Sequence, residues 1–507
     1  MTTTKWTAAI LATTALSAWA FTSVAAQEAP AAEIAAEAPP TAEEAAAQLE
    51  FLKAQVQAMQ EQIEAIKKTT AENAPTYAAA PRFGNTIQDY RFPNDSSKRL
   101  PGFQFKVRGR LHLDAGYVEN PDDRVATKNL GYGYRVRRAR LGVQGTFPGG
   151  FSYVSEVDFA NAAVSFADLF LSWKSVPESK FTITAGQHYP FQGLEQITSS
   201  NFVTTIERAQ FVEAFGYARR LGLSANYTDG DFRLDVGAFS DTINAGLDND
   251  DWQFAARATY SPETFGGRLH LGANYQYRQF QTNTQNFQYR VRPGSQLTDI
   301  RFVDTGSIAA DGDQIFGLEA AFIKGPFHVA AEAQYNKVDS FRPGTVFTNG
   351  DTAAGGTLLA GDPNFFGAYA EVGFFLTGGS DGAPDTRGYS AGRFDRVRPK
   401  NGFDKGGIGA VQINARADYL DLSDRIATTG TTGQQIIAGE LNGGESWIYS
   451  ANVIWTPIEY VRFVLQYSHQ AIEGGPRAAA IKPFDTNLAT ERKYSVDFIG
   501  LRSQFDF

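Results

Sequence analysis

Residues 103–114 read FQFKVRGRLHLD, and this stretch decides the fold. Phe105, Val107, Leu111 and Leu113 alternate with polar or charged residues, so a β-strand here carries one apolar face and one charged face. The charged face needs water on its side of the sheet. Similar segments recur to the end of the chain, and we predict sixteen strands, at about 103–118, 132–147, 151–161, 163–174, 180–188, 216–228, 231–241, 252–261, 267–281, 312–324, 326–339, 364–377, 406–421, 444–456, 460–472 and 492–507.

The connections between these segments alternate in length. If the first strand starts on the periplasmic side, six of the seven even-to-odd connections are short, whereas the odd-to-even connections are mostly long. Short turns at one end and long loops at the other, with an even strand count, are typical of a bacterial outer-membrane barrel. The exception is the 378–405 connection, which either hides a further strand pair or means that one predicted strand is wrong.

Composition agrees with this fold class. Mean hydropathy is −0.29 and aromatic residues make up 13% of the chain. After the N-terminus there is no apolar run of about 18 residues, which excludes an α-helical membrane protein but not a barrel. Cysteine is absent, so disulfides, thiolate zinc sites and cysteine nucleophiles are excluded. The last strand ends on an apolar residue, Phe507.

The N-terminal fifth of the chain has a different pattern. The first residues have a positive start, a short apolar middle and a small-residue cleavage site, as in a secretory signal. A heptad of apolar residues follows, typical of a coiled coil, although a single amphipathic helix lying on another surface has the same pattern. The predicted regions are a signal peptide (1–26), an Ala/Pro-rich spacer (27–41), a periplasmic coiled-coil helix (42–68), a linker (69–100) and a β-barrel domain (101–507).

The segment Pro190–Phe215, PFQGLEQITSSNFVTTIERAQFVEAF, matches neither a strand nor a surface loop. Its apolar residues need a wall to pack against and its charges need water, so we predict a loop folded back into the pore. It carries one cation, Arg208, against three constriction-loop acids, Glu195, Glu207 and Glu213. The predicted constriction is therefore net acidic.

Several segments resemble one protein family. RRARLGVQG (137–145), AGQHYPFQGLEQITSS (185–200), RRLGL (219–223) and WTPIEYVRF (455–463) are similar to the phosphate-selective porin O and P family. The resemblance runs from about residue 100 to the end of the chain. It implies a sixteen-stranded, homotrimeric porin whose third long loop narrows the pore, and a phosphate preference set by cationic side chains at the narrow part.

Strand alternation places many cations in the lumen, where arginine suits phosphate because its fork binds two oxygens at once. The alternative is that these cations pair with lumen acids such as Glu156 and Asp158 and form a structural ladder on the wall. The candidate pore-lining cations are Lys106, Arg108, Arg110, Arg138, Arg140, Arg208 and Arg220.

These patterns predict an outer-membrane porin that passes small hydrophilic solutes with some preference for anions such as phosphate. The alternative is a general or weakly selective porin with a structural tethering role, in which the coiled coil contacts the cell wall. No P-loop, HExxH or GxSxG motif supports an enzyme. We expect no cofactor, no metal site and no nucleic-acid partner. The expected partners are outer-membrane lipid, small anions and further copies of the chain in a homotrimer.

Overall fold

The computed structural model describes residues 104–507 apart from 122–129, 161–162, 177, 217, 246–250, 281–284, 347–355, 427–435, 438–439 and 482–484. Of the preceding residues it describes Lys53, Gln57, Gln60 and Glu61, which are helical and exposed. The predicted signal peptide, spacer and linker, and the rest of the predicted coiled coil, lie outside the described residues.

Within the described part of the chain, sixteen antiparallel strands close into one barrel. The sixteen-stranded barrel predicted from alternation is therefore confirmed. The strands are β1 (Gln104–Val118), β2 (Gly131–Phe147), β3 (Phe151–Asp158), β4 (Ser165–Trp173), β5 (Phe181–His188), β6 (Arg220–Asp229), β7 (Phe232–Phe239), β8 (Trp252–Tyr260), β9 (Gly267–Gln279), β10 (Val303–Lys324), β11 (Phe327–Ser340), β12 (Asn364–Phe375), β13 (Ala410–Asp421), β14 (Glu445–Ile458), β15 (Val461–Glu473) and β16 (Lys493–Asp506).

The first and last strands close the barrel. β1 pairs with β16 from Arg110 opposite Asp506 to Val118 opposite Phe498. The backbones of Gly109 and Phe507 exchange two hydrogen bonds of 3.1 Å, so the C-terminal residue belongs to the wall. The Phe507 ring lies over Gly109, where a Cβ atom would be 2.6 Å from it. Closure removes the unpaired edges that so large a sheet would otherwise expose.

The two faces of each strand differ as the sequence pattern requires. On β15, Arg462, Gln466 and Gln470 are buried in the barrel interior, whereas Leu465 and Tyr467 are exposed on the outer face. The outer face is thus an apolar band and the inner face is polar, as in barrels that span a membrane. No helix among the described residues is long and apolar enough to cross a bilayer.

Most connections have the expected lengths, and some of them contain short strands of their own. β10 begins at Val303 rather than near residue 312, because a short strand, Asn286–Val291, pairs with its first part. The connection from β12 to β13 holds a hairpin of Gly388–Ser390 and Arg393–Asp395, which is separate from the wall. Both flanking strands are genuine, since β12 and β13 pair directly from Phe366 to Phe375. The hidden strand pair therefore exists, but it lies outside the barrel sheet.

An apolar core fills one side of the barrel interior. Leu194, Ile206 and Phe211 of the connection between β5 and β6 are fully buried, and they belong to one cluster with Tyr289 and Phe365. The rings of Tyr289 and Phe365 lie 4.9 Å apart. This packing leaves the open space of the barrel toward β1–β7.

Candidate functional site

The segment Tyr189–Arg219 between β5 and β6, here called the pore loop, lies inside the barrel. It contains two short helices, α1 (Leu194–Ile197) and α2 (Gln210–Ala214). Helices of this length are not stable alone, so contacts with the wall must hold them. Ser199 and Ser200 accept hydrogen bonds of 3.2 and 3.1 Å from Arg110 on β1, and the backbone N–H of Ile206 donates to Gln466 on β15.

Wall carboxylates cap both helices of the pore loop. The backbone N–H groups of Leu194 and Glu195 donate to the carboxylate of Glu332 on β11 at 2.8 and 2.7 Å. The N–H of Gln210 donates to Asp418 on β13 at 3.0 Å. These carboxyl oxygens stabilise the helices because the first N–H groups of a helix have no partner within the helix. Gly193, with φ of 107°, allows the approach, since a Cβ there would collide with Glu332.

The three constriction-loop acids all form ion pairs, Glu195 and Glu207 with arginines of the wall and Glu213 with arginines of the β9–β10 connection. Glu195 is buried and accepts hydrogen bonds from both terminal nitrogens of Arg416, at 2.5 and 3.1 Å. Glu213 accepts one of 2.5 Å from Arg292. Glu207 pairs with two arginines of the wall, Arg137 on β2 and Arg502 on β16. None of the three lines the cavity that lies between the pore loop and strands β1, β2 and β4–β7.

A cavity of about 460 Å³ lies between the pore loop, strands β1, β2 and β4–β7 of the wall, and the hairpin of the β12–β13 connection. Eight arginines and three aspartates line it. The arginines are Arg108, Arg110, Arg138, Arg140, Arg208, Arg219, Arg233 and Arg393, and the aspartates are Asp168, Asp235 and Asp395. Among the described residues, the lining of this cavity is therefore rich in positive charge although the loop sequence is acidic.

Three of these arginines share one carboxylate. Arg108, Arg110 and Arg140 lie 3.2, 3.2 and 3.3 Å from the oxygens of Glu156 on β3. Arg140 also donates to Asp158 at 2.7 Å. The ladder expected as the alternative is present here, but two carboxylates, Glu156 and Asp158, face three guanidinium groups, so the cluster keeps positive charge.

Three other cavity arginines have no carboxylate within ion-pair distance among the described residues: Arg138, Arg208 and Arg393. Arg208 donates to the backbone carbonyls of Glu195 and Thr198 at 3.0 and 2.7 Å. Carbonyl partners satisfy hydrogen bonds without cancelling the charge. Arg393, at the hairpin, is exposed.

The cavity brings together five of the seven candidate cations named from the sequence. The other two lie elsewhere: Lys106 does not line the cavity, and Arg220 lies 4.0 Å from Asp241 and 3.7 Å from Asp251. Sequence reasoning missed Arg219, Arg233 and Arg393. Strand alternation on β7 contained the signal for Arg233, whereas no pattern in the sequence placed Arg393 in the lumen.

The hairpin enters the lumen from the short-turn end and contacts both wall and loop. Arg257 on β8 donates to the carbonyl of Gly392 at 2.8 Å, and His270 on β9 hydrogen-bonds to the Tyr389 hydroxyl at 2.6 Å. Arg387 donates to the carbonyl of Phe202 in the pore loop. Two connections from opposite ends of the barrel thus meet at the cavity.

The pore loop also carries a titratable group at the cavity. Burial by itself raises the pKa of the Tyr189 phenol, but Arg219 outweighs it, with help from Arg208 and Arg140, and the pKa falls to about 8. The Arg219 guanidinium lies 4.1 Å from the centre of the Tyr189 ring and donates a hydrogen bond of 2.9 Å to its oxygen.

Comparison with known proteins identifies the family. The model of the family described as phosphate-selective porin O and P matches residues 105–497. The chain belongs to the phosphate-selective porin O and P family. Porin O of Pseudomonas aeruginosa is 26% identical to this porin over 368 residues, which cover 66% of this chain and 76% of that protein. A Caulobacter vibrioides protein described as uncharacterized is 33% identical over 485 residues, 90% of this chain and 88% of its own length.

Solved structures of outer-membrane channels are more distant from this porin. The channel DcaP of Acinetobacter baumannii has a TM-score of 0.45 and 14% identity, covering 80% of this chain and 98% of its own. An anion-selective porin from Comamonas acidovorans has a TM-score of 0.43 and 11% identity, covering 80% and 100%. Likeness at this level carries no information about solutes. The family match and the closed barrel make this porin an outer-membrane channel rather than an enzyme.

Proposed function

We propose that this porin passes small hydrophilic anions, phosphate among them, in preference to cations. The observation that carries the proposal is the charge of the cavity beside the pore loop, which eight arginines and three aspartates line, while the three pore-loop glutamates pair with arginines elsewhere and do not line it. Positive charge at a narrow, low-dielectric passage raises the local concentration of anions and lowers that of cations.

The arrangement of the arginines also suits tetrahedral oxyanions. A guanidinium group donates two parallel hydrogen bonds to one phosphate, and several such groups along the wall offer successive sites. Arg138, Arg208 and Arg393 support the proposal most directly, because no described carboxylate competes with a passing anion for them. Successive weak sites favour passage over trapping, since conduction requires that a bound ion also leaves.

Reversal potentials test the proposal. In a planar bilayer with a KCl gradient we expect the purified porin to favour chloride, and added phosphate to reduce the chloride current. Arg138→Gln with Arg393→Gln should lower the anion-to-cation permeability ratio several-fold. Arg425→Gln is the matched control, because Arg425 is almost fully exposed and does not line the cavity. Cation preference in the unaltered porin would contradict the proposal.

A second proposal rests on the heptad pattern of residues 42–66. We propose that the porin is a homotrimer and that this segment, in the periplasm, contributes to its association or to contact with the cell wall. Deleting residues 27–80 separates this role from the pore. If trimers and conductance persist while the envelope loses integrity, the segment attaches the barrel to the cell wall. If all three are unchanged, the tethering proposal is wrong.

A further inference from the structure

Part of the cavity wall is aromatic, although neighbouring inward-facing positions are polar. Phe170 on β4 lies between the inward-facing residues Asp168 and Ser172, and it lines the cavity while half-buried. Phe191 and Phe202 of the pore loop also line it and are partly exposed. Apolar surface left in water is unfavourable, so a solute that covers these rings gains by doing so.

The rings form a connected and well-supported cluster. The ring centres of Phe170 and His188 are 5.9 Å apart, and those of His188 and Phe191 are 6.3 Å apart. Phe239, which is 3% exposed, packs behind them at 5.2 Å from His188 and 6.1 Å from Phe191. Side chains held in this way lose little freedom when a solute contacts them, which favours binding.

Cations and rings meet in the same space. Arg219 forms an ion pair of 2.6 Å with Asp168, two residues before Phe170 on the strand, and its guanidinium also lies over the Tyr189 ring. The cavity of about 460 Å³ falls within the range of about 300–1,000 Å³ that is usual for pockets that hold organic ligands. An inorganic ion would contact the arginines and leave the aromatic rings exposed to water.

We propose that this pore selects, among anions, organic ones that carry an aromatic ring beside a phosphate, sulfonate or carboxylate group. The inference rests on the anion preference proposed above. The acidic group binds the arginines of the cavity, and the ring covers Phe170 and Phe191 as it passes. Aromatic contacts of this kind favour the ring-bearing anion by about 2- to 10-fold over an anion of equal charge without a ring.

Current block in planar bilayers tests this preference with the full-length porin. Phenyl phosphate, methyl phosphate and inorganic phosphate are added at one pH, and the concentration that halves the chloride current is measured for each. We expect phenyl phosphate to act at a concentration about 2- to 10-fold lower than methyl phosphate. Equal block by the two esters overturns the inference, and this comparison needs no variant.

Two variants assign the preference to the rings. Phe170→Leu with Phe191→Leu keeps apolar volume but removes both rings, and we expect the advantage of phenyl phosphate over methyl phosphate to disappear. Phe366→Leu is the control, because Phe366 is exposed on the outer face of β12. An advantage that persists in the double variant contradicts the role of these rings. A cation-selective reversal potential in the unaltered porin, by contrast, overturns the proposed function itself.

Discussion

Glu207 of the pore loop and Arg137 of β2 form a two-pronged ion pair, with Nε to Oε1 at 2.8 Å and Nη2 to Oε2 at 3.0 Å. Arg502 on β16 donates to the same carboxylate at 3.0 Å. Burial alone would raise the pKa of Glu207, but the two guanidinium groups hold it well below the ordinary range. The sequence predicts that this acid opposes anions, but in the structure it attaches the pore loop to the wall.

Removing the negative charge of Glu207 should weaken the attachment of the pore loop to the wall. We expect Glu207→Gln to lower the free energy of unfolding by about 3 kcal/mol, because breaking a largely buried pair leaves its partner's charge uncompensated. Single-channel conductance should become larger and noisier. Glu178→Gln, at an exposed turn, is the control. Unchanged conductance and stability would show that Glu207 does not hold the loop.

A methyl group at position 193 should displace α1. Gly193→Ala meets both an unfavourable φ of 107° and the Glu332 carboxylate. A strained backbone residue costs about 1–3 kcal/mol, and the collision adds to it. Gly131→Ala separates the two effects, since Gly131 has φ of 98° with no atom within 4 Å of the added carbon. We expect Gly193→Ala to be the less stable variant in urea unfolding; equal stability would refute the capping role of Glu332.

Selectivity should depend on pH near 8. Below a pKa of about 8 the Tyr189 phenol is neutral, and above it the phenolate adds a negative charge beside Arg219. We therefore expect the anion-to-cation permeability ratio to fall as the pH rises from about 7 to about 9. Tyr189→Phe should remove this dependence, whereas Tyr260→Phe, at an exposed position, should keep it. A ratio that falls equally in Tyr189→Phe excludes Tyr189 as the cause.

Releasing the hairpin from the barrel end should widen the pore. Arg396 pairs with Asp506 on β16 and donates to the carbonyl of Glu459 in the β14–β15 turn. We expect Asp506→Asn to increase mean conductance and its fluctuations, because the β12–β13 connection loses a charged anchor. Asp229→Asn, which removes an exposed turn pair with Lys180, should leave conductance unaltered. Equal mean conductance and equal fluctuations in the two variants would contradict an anchoring role of Asp506.

Most of the barrel wall could be predicted from the sequence, but little of the arrangement of side chains in the pore loop could be. The alternation of apolar and polar residues located the sixteen strands, because a strand in a membrane barrel has one face toward lipid and the other toward water. It also placed Arg138 and Arg140 on the inner face. The directions in which the side chains of Glu195 and Glu213 point could not be predicted. Their partners, Arg416 and Arg292, lie 221 and 79 residues away along the chain. In an irregular segment no period fixes the side-chain direction, and only the tertiary partners do.

The pore loop is fastened to strands on different parts of the circumference. Arg110 on β1, Gln466 on β15, Asp418 on β13 and Glu332 on β11 all bind it. The loop is thus a mechanical brace across the barrel. Flattening the cross-section under lateral pressure would have to break charged and backbone hydrogen bonds at several points. We therefore expect the pore loop also to keep the bore of the barrel constant when the surrounding bilayer changes in thickness or tension.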